Sequence, residues 1–146
     1  MNLFSYGTLQ DLDVLDIVAG GESYERLGLA WYDDHTTRRV EGEDYPILVE
    51  EVGTKLKGTV ITSSSKVFWD RIDFFEQDYD KKNITVNLHG KTVNCFIFTE
   101  EVGKVQSSDV WTLDEWQLMS RKERREFLQR CQEFMNQFGK VDRGIW

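Results

Sequence analysis

Tyr24-Glu25-Arg26-Leu27-Gly28-Leu29-Ala30-Trp31-Tyr32 is an aromatic and apolar run with a glycine at its centre. Such residues suit a pleated, half-buried surface, and a glycine inside the run marks a bulge or a sharp bend. A strand of this kind belongs to a closed or strongly curved sheet. The neighbouring segments supply partners. Lys55-Leu56-Lys57-Gly58-Thr59-Val60-Ile61-Thr62 is rich in β-branched residues and reads as a strand. Residues 83–89 and 91–99 flank Gly90 as a hairpin, with Ile84, Val86 and Leu88 on one face. Pro46, the only proline, opens Pro46-Ile47-Leu48-Val49-Glu50. It lacks an N–H and therefore suits the start or edge of a strand, which a polar turn near Gly53 is expected to separate from the next.

Helices fill the remaining stretches. Leu12, Leu15 and Val18 recur at helical spacing until Gly20-Gly21 stops them. The serines Ser63-Ser64-Ser65 can cap a helix that carries Phe68, Trp69, Ile72 and Phe75 on one broad face and ends at Glu76. Thr112-Leu113-Asp114-Glu115 is a capping box, and the apolar residues from Leu113 to Phe138 support one long or once-broken helix ending near Gly139. This helix is expected to pack rather than catalyse. Its cluster Arg121-Lys122-Glu123-Arg124-Arg125-Glu126 interleaves both signs and reads as a solvated face. The expected class is α+β: a small closed or strongly curved mixed β-barrel flanked by helices, with a long C-terminal helix. One domain spans residues 1–146, with a core of about 2–111 and a helical extension of about 112–139.

Composition narrows the function. The chain of 146 residues is 40% hydrophobic and 13% aromatic, too apolar for disorder. A formal net charge of −8 argues against a nucleic-acid partner, because binding a phosphate backbone needs a basic surface. No apolar run is long enough to span a bilayer, and no leader-like N-terminus is present, so no membrane partner and a cytoplasmic location are expected. Cys95 and Cys131 read as two buried thiols. Neither makes a metal-type cluster with His35 or His89, so no metal site is expected, and the histidines receive no functional role.

Near the N-terminus, Leu3-Phe4 leads into Tyr6-Gly7-Thr8-Leu9. Gly7 can take backbone angles closed to other residues and leaves no side chain in the way, so successive N–H groups can converge on a developing oxyanion. The same four residues also suit a plain turn after a strand. Glu76, at a helix end, is a candidate acid, although most acids on helices are solvated and Asp70, Asp73, Asp78 and Asp80 crowd the same segment.

Taken in order, Leu3-Phe4-Ser5-Tyr6-Gly7-Thr8-Leu9, Tyr45-Pro46, Gly58, and Ile72-Asp73-Phe74-Phe75-Glu76 followed by Tyr79 resemble the gamma-glutamylcyclotransferase-like family, which includes the gamma-glutamylamine cyclotransferases and the plant avirulence-induced-gene proteins. The resemblance covers roughly residues 2 to 99. It implies a small β-barrel flanked by helices and a cofactor-independent enzyme that cyclises a gamma-glutamyl group to 5-oxoproline with release of an amine or amino acid. It places the general acid/base at Glu76 and the substrate contacts at Tyr6, Gly7, Thr8, Leu9 and Tyr79. The partner is then a small gamma-glutamyl molecule. Phe74 and Phe75 give Glu76 an apolar setting of the kind that raises a carboxyl pKa. Gln77 and Lys81 stand where many relatives carry glycine and arginine. The competing reading is a non-catalytic module that binds a small metabolite in the same cavity or whose long helix presents Trp116 and its neighbours to a protein partner.

Overall fold

The computed structural model describes residues 1–40, 42, 46–99 and 110–140. Among these, five strands close into a barrel in the order β1-β3-β2-β4-β5: β1 (Asn2–Ser5), β2 (Glu25–Arg39), β3 (Pro46–Thr62), β4 (Asp80–Leu88) and β5 (Lys91–Thr99). All pairings are antiparallel except that of β1 with β5, which is parallel, so the sheet is mixed as expected. Gly28, at φ 133°, sits where the register of β2 against β3 shifts between Arg26 and Gly28. The glycine in the aromatic run is thus a bulge, and it bends the long β2–β3 ribbon toward closure.

One expectation is corrected. Residues 46–50 and 55–62 are a single strand, because β2 continues past Tyr32 and pairs with both. Asp33 lies opposite Lys55 and His35 opposite Glu50, so residues 51–54 bulge outward against Asp34 alone. The bulge is tied internally: the Gly53 amide donates to the Asp34 carboxylate at 2.9 Å, and the Thr54 hydroxyl lies 3.0 Å from the His35 carbonyl. The turn signal at Gly53 was correctly placed, but it marks an excursion within one strand.

Alternation along the strands makes two cores. Phe4, Leu56, Val60, Val86, Cys95 and Ile97 fill the barrel. Leu3, Ile61, Phe96 and Phe98 face outward under the helices. Leu3-Phe4 of β1 and Cys95-Phe96-Ile97-Phe98 of β5 are buried on both faces, which is why these stretches are apolar without alternation. Burial pushes the thiols of Cys95 and Cys131 up to about 11, and both cysteines are free and buried.

The outer layer contains α1 (Leu12–Ala19), α2 (Lys66–Phe75), α3 (Leu113–Gln117) and α4 (Arg121–Met135). The expected C-terminal helix is broken once, since Thr112 caps α3 and Ser120 caps α4 afresh by accepting from the Glu123 amide. In α1 the buried face is Val14, Leu15, Val18 and Ala19, which leaves Leu12 exposed. Gly20 ends that helix in the left-handed region at φ 62°.

Asp11, only 2% exposed, caps α1 and holds α4 against it. Its carboxylate accepts the Asp13 and Val14 amides, the Gln117 side-chain amide at 2.9 Å, and both Arg124 terminal nitrogens at 2.9 and 3.0 Å. Arg124 also reaches Asp13 at 2.7 Å. Arg124 is therefore a tether rather than part of the solvated face that its neighbours form. Burial alone would raise the Asp11 carboxyl, but the hydrogen bonds from Arg124, Gln117 and Val14, with the nearby guanidinium charge, hold it below its ordinary 3.8.

A folded-state pKa below the unfolded one means that the unfolded chain binds the extra proton. The contribution of Asp11 is therefore present above the unfolded value and lost as pH falls through the folded one. The stability of wild type against chemical denaturant is expected to fall as pH drops below the ordinary 3.8 of the Asp11 carboxyl, and Asp11→Asn to flatten that slope. Arg124→Ala is expected to cost about 3 kcal/mol at neutral pH, because it strands a buried carboxylate. At Gly58 an added Cβ would meet the Phe4 ring at 2.5 Å and the Ser5 carbonyl at 2.6 Å. Gly58→Ala is expected to destabilise by about 1–3 kcal/mol in the same assay.

Candidate active site

β1 carries the chain to one end of the barrel, where Tyr6 is anchored by its hydroxyl donating to the Phe98 carbonyl on β5 at 2.7 Å. Gly7 follows and opens a short 3-10 turn, Thr8–Gln10. The Gly7 carbonyl accepts from the Gln10 amide at 3.2 Å and from the Gln10 side chain at 3.3 Å, which fixes the loop. Gly7 has φ −112° and ψ −145°, so it does not use the left-handed angles that favour glycine. Its usefulness is the missing side chain: a Cβ there would stand 3.7 Å from Pro46 Cγ, an ordinary contact that narrows the space between them. The amides at the start of the turn have no acceptor within it.

α2 delivers the acid. Ser65 caps it by accepting from the Phe68 amide, and Phe68, Trp69 and Ile72 bury its inner face, so the position of its last turn is fixed. The Glu76 amide closes that turn on the Ile72 carbonyl at 3.0 Å. The Tyr79 amide then donates to the Glu76 carbonyl at 3.0 Å, and the chain enters β4 at Asp80. Glu76 and Tyr79 thus sit on one tight turn, both half-buried.

A cavity of about 80 Å³ brings the two parts together. Tyr6, Gly7, Thr8 and Leu9 line it together with Glu76 and Tyr79. All six residues singled out from the sequence therefore share one space. The competing carboxylates do not line it. Asp70 pairs with Lys66 at 2.9 Å and Asp73 with Lys81 at 3.2 Å, while Asp78 and Asp80 are exposed. Lys81 also lies 4.3 Å from the Phe96 ring centre on the outer face, and Gln77 is exposed, so neither departure from the family pattern touches this cavity. Phe74 packs on Phe134 and Phe138, away from the acid, whereas Phe75 shares a second space with Glu76.

Sequence reading assigned no site role to five wall residues, Leu3, Phe4, Ser5, Pro46 and Phe98. Ser5 and Phe98 are buried and line the cavity because β1 and β5 end side by side; Pro46 closes it opposite Gly7. Pro46 was visible in the Tyr45-Pro46 motif, although Tyr45 itself lies outside the described residues. Trp116, the residue proposed for display to a partner, is buried at 5% exposure and packs edge-on against Phe127. Trp116 itself is therefore not displayed, whereas its neighbour Leu118 is exposed. Among the described residues, no group of three or more His, Cys, Asp or Glu is placed to hold a metal ion, and no helix is long and apolar enough to cross a membrane.

Comparison with known proteins extends the picture. A solution structure from Arabidopsis thaliana is 19% identical, with 98% of this chain and 86% of that one covered, at a TM-score of 0.60. An AIG2-like protein from Mus musculus is 18% identical over 82% of this chain and 83% of that one, at 0.57. A structure titled gamma-glutamyl cyclotransferase is 14% identical over 73% and 68%, at 0.55. At these identities the likeness is one of fold. No curated protein sequence matches. The family model described as gamma-glutamyl cyclotransferase, AIG2-like, matches residues 3–118, and the chain belongs to that family.

Proposed function

We propose that the protein is a cofactor-independent gamma-glutamyl cyclotransferase that converts a gamma-glutamyl amide into 5-oxoproline and a free amine, with Glu76 as general acid/base. The observation that carries the reading is the cavity in which Glu76 faces the Tyr6–Leu9 loop, in a chain of this family.

The chemistry needs one proton taken from the α-ammonium and one given to the leaving nitrogen, a second proton lost from the ring nitrogen to water, and one site of charge stabilisation. The substrate's α-ammonium is not a nucleophile until it loses a proton, which the Glu76 carboxylate takes. The freed amine attacks the γ-carbonyl carbon and forms the five-membered ring, the carbonyl oxygen becomes an oxyanion, and the ring nitrogen, which still carries two hydrogens and a positive charge, releases one proton to solvent. The amides at Thr8 and Leu9 begin the 3-10 turn without acceptors in it, and they supply hydrogen bonds to that oxygen. Collapse of the intermediate breaks the bond to the leaving nitrogen, which receives the proton held by Glu76. One carboxyl group thus starts and ends the cycle ionised, and no cofactor enters the balance. Tyr6, held by Phe98, and Tyr79 fix the walls against which the glutamyl chain folds.

Glu76→Gln is expected to lower kcat by roughly 10²–10⁴ in a 5-oxoproline release assay over a panel of gamma-glutamyl amides, while the melting temperature stays near wild type. Undiminished turnover would contradict the role of Glu76. Gly7→Ala is expected to fold with a stability change within about 1 kcal/mol, since its φ is allowed and its Cβ contact is ordinary. The same variant is expected to lose about tenfold or more in kcat/KM, because the new methyl group stands in the space between loop and Pro46.

A further inference from the structure

A second cavity, of about 330 Å³, is lined by the β2–β3 ribbon and by residues 110–114, which lead into α3. Of the described residues that line this space and the candidate active site, only Tyr6 is common to both. Three cations line it: Arg26 near the start of β2, and Lys55 and Lys57, which are two positions apart and so share one face of β3. None of the three forms a salt bridge among the described residues. Asp114 is the one carboxylate among the described wall residues. Asp33, opposite Lys55 in the register, lines a different space that Lys55 also borders.

The polar part of the wall is built into the fold. Gln10, Thr37, Thr59 and Trp111 are all buried. The Thr37 hydroxyl donates to the Trp111 carbonyl at 2.7 Å and ties that segment to β2. The Trp111 indole N–H is buried and has no acceptor among the described residues. Such orphaned donors are rare in folded proteins, because burying one without a partner is costly.

We propose that this cavity binds a small molecule carrying carboxylate or phosphate groups, held by Arg26, Lys55 and Lys57. A concave wall of one sign concentrates its field, so it draws anions although the whole chain carries −8. The guanidinium and the two ammonium groups supply charge-assisted hydrogen bonds, and Leu29, Val110 and Leu113 give apolar surface to the ligand's carbon frame. The volume suits a metabolite, since small-molecule sites begin at about 300 Å³. Arg26 also donates to the Gln10 carbonyl at 3.3 Å, and the Gln10 side chain donates to the Gly7 carbonyl at 3.3 Å. The site thus adjoins the Tyr6–Leu9 loop without including Glu76 or Tyr79, and it stands independently of the cyclotransferase reading.

The test titrates the isotope-labelled full chain with citrate and, separately, with inorganic pyrophosphate, at constant ionic strength and with glycerol as the uncharged control. Amide and indole N–H signals are followed by NMR, the Trp111 indole being identified with Trp111→Phe. At least one anion is expected to saturate with a Kd below about 1 mM, moving the Trp111 indole signal and the amides of residues 55–57, while glycerol moves neither. Saturation by citrate alone assigns the site to carboxylates, and by pyrophosphate alone to phosphates. Lys55→Gln with Lys57→Gln is expected to weaken the affinity about fivefold or more, with a melting temperature near wild type because both side chains are exposed. No saturation by either anion at millimolar concentration, saturation that leaves the Trp111 signal in place, or an affinity unchanged in the double variant would each overturn the site.

Discussion

The Phe4 ring occupies the space where a side chain on residue 58 would be, and this contact fixes the path of β1 through the molecule. β1 is four residues long, yet it is the stave that closes the barrel, antiparallel to β3 and parallel to β5. Its parallel pairing with β5 is confined to Leu3 and Phe96. Closure therefore depends on side chains more than on ladder hydrogen bonds: Phe4 seated over Gly58, Leu3 in the outer core, and the Tyr6 hydroxyl on the Phe98 carbonyl. Each of these also sets where residue 7 begins. The position of the loop that lines the cavity is a consequence of how the barrel shuts.

The acid arrives by a different route. α2 lies on the outer core, and its buried face fixes the last turn from which Glu76 projects. Loop and acid are carried by different elements, yet Leu9 of the loop packs in the same outer core as Phe68, Trp69 and Ile72 of α2. α4 is tied to α1 from outside through Arg124 and Asp11, since the same carboxylate that begins α1 also holds α4. Removing Arg124 would leave a buried carboxylate without its cation and release α4 from α1.

Much of this was legible in the sequence because it rested on local rules. The glycine in the aromatic run gave the bulge, Gly90 gave the hairpin, and Ser65 and Thr112 gave helix starts. The family motifs brought together Tyr6–Leu9, Glu76 and Tyr79, and the fold sets all of them around one cavity. What stayed hidden was non-local. The union of residues 46–50 and 55–62 into one strand depends on β2 running long enough to pair with both, which no window of β3 reveals. Asp11 and Arg124 are 113 positions apart, and each looks ordinary on its own helix. Trp116 read as a display residue because the helix face that buries it is decided by α3 breaking from α4.

The account's central claim is that one cavity holds the substrate's reacting atoms between a backbone cradle and a single carboxyl group. A crystal structure with 5-oxoproline bound tests it most directly. The account predicts the lactam oxygen at the amides of Thr8 and Leu9 and the ring nitrogen within hydrogen-bond reach of the Glu76 carboxyl group. A 5-oxoproline molecule bound elsewhere, or bound here with Glu76 turned out of the cavity, would contradict it.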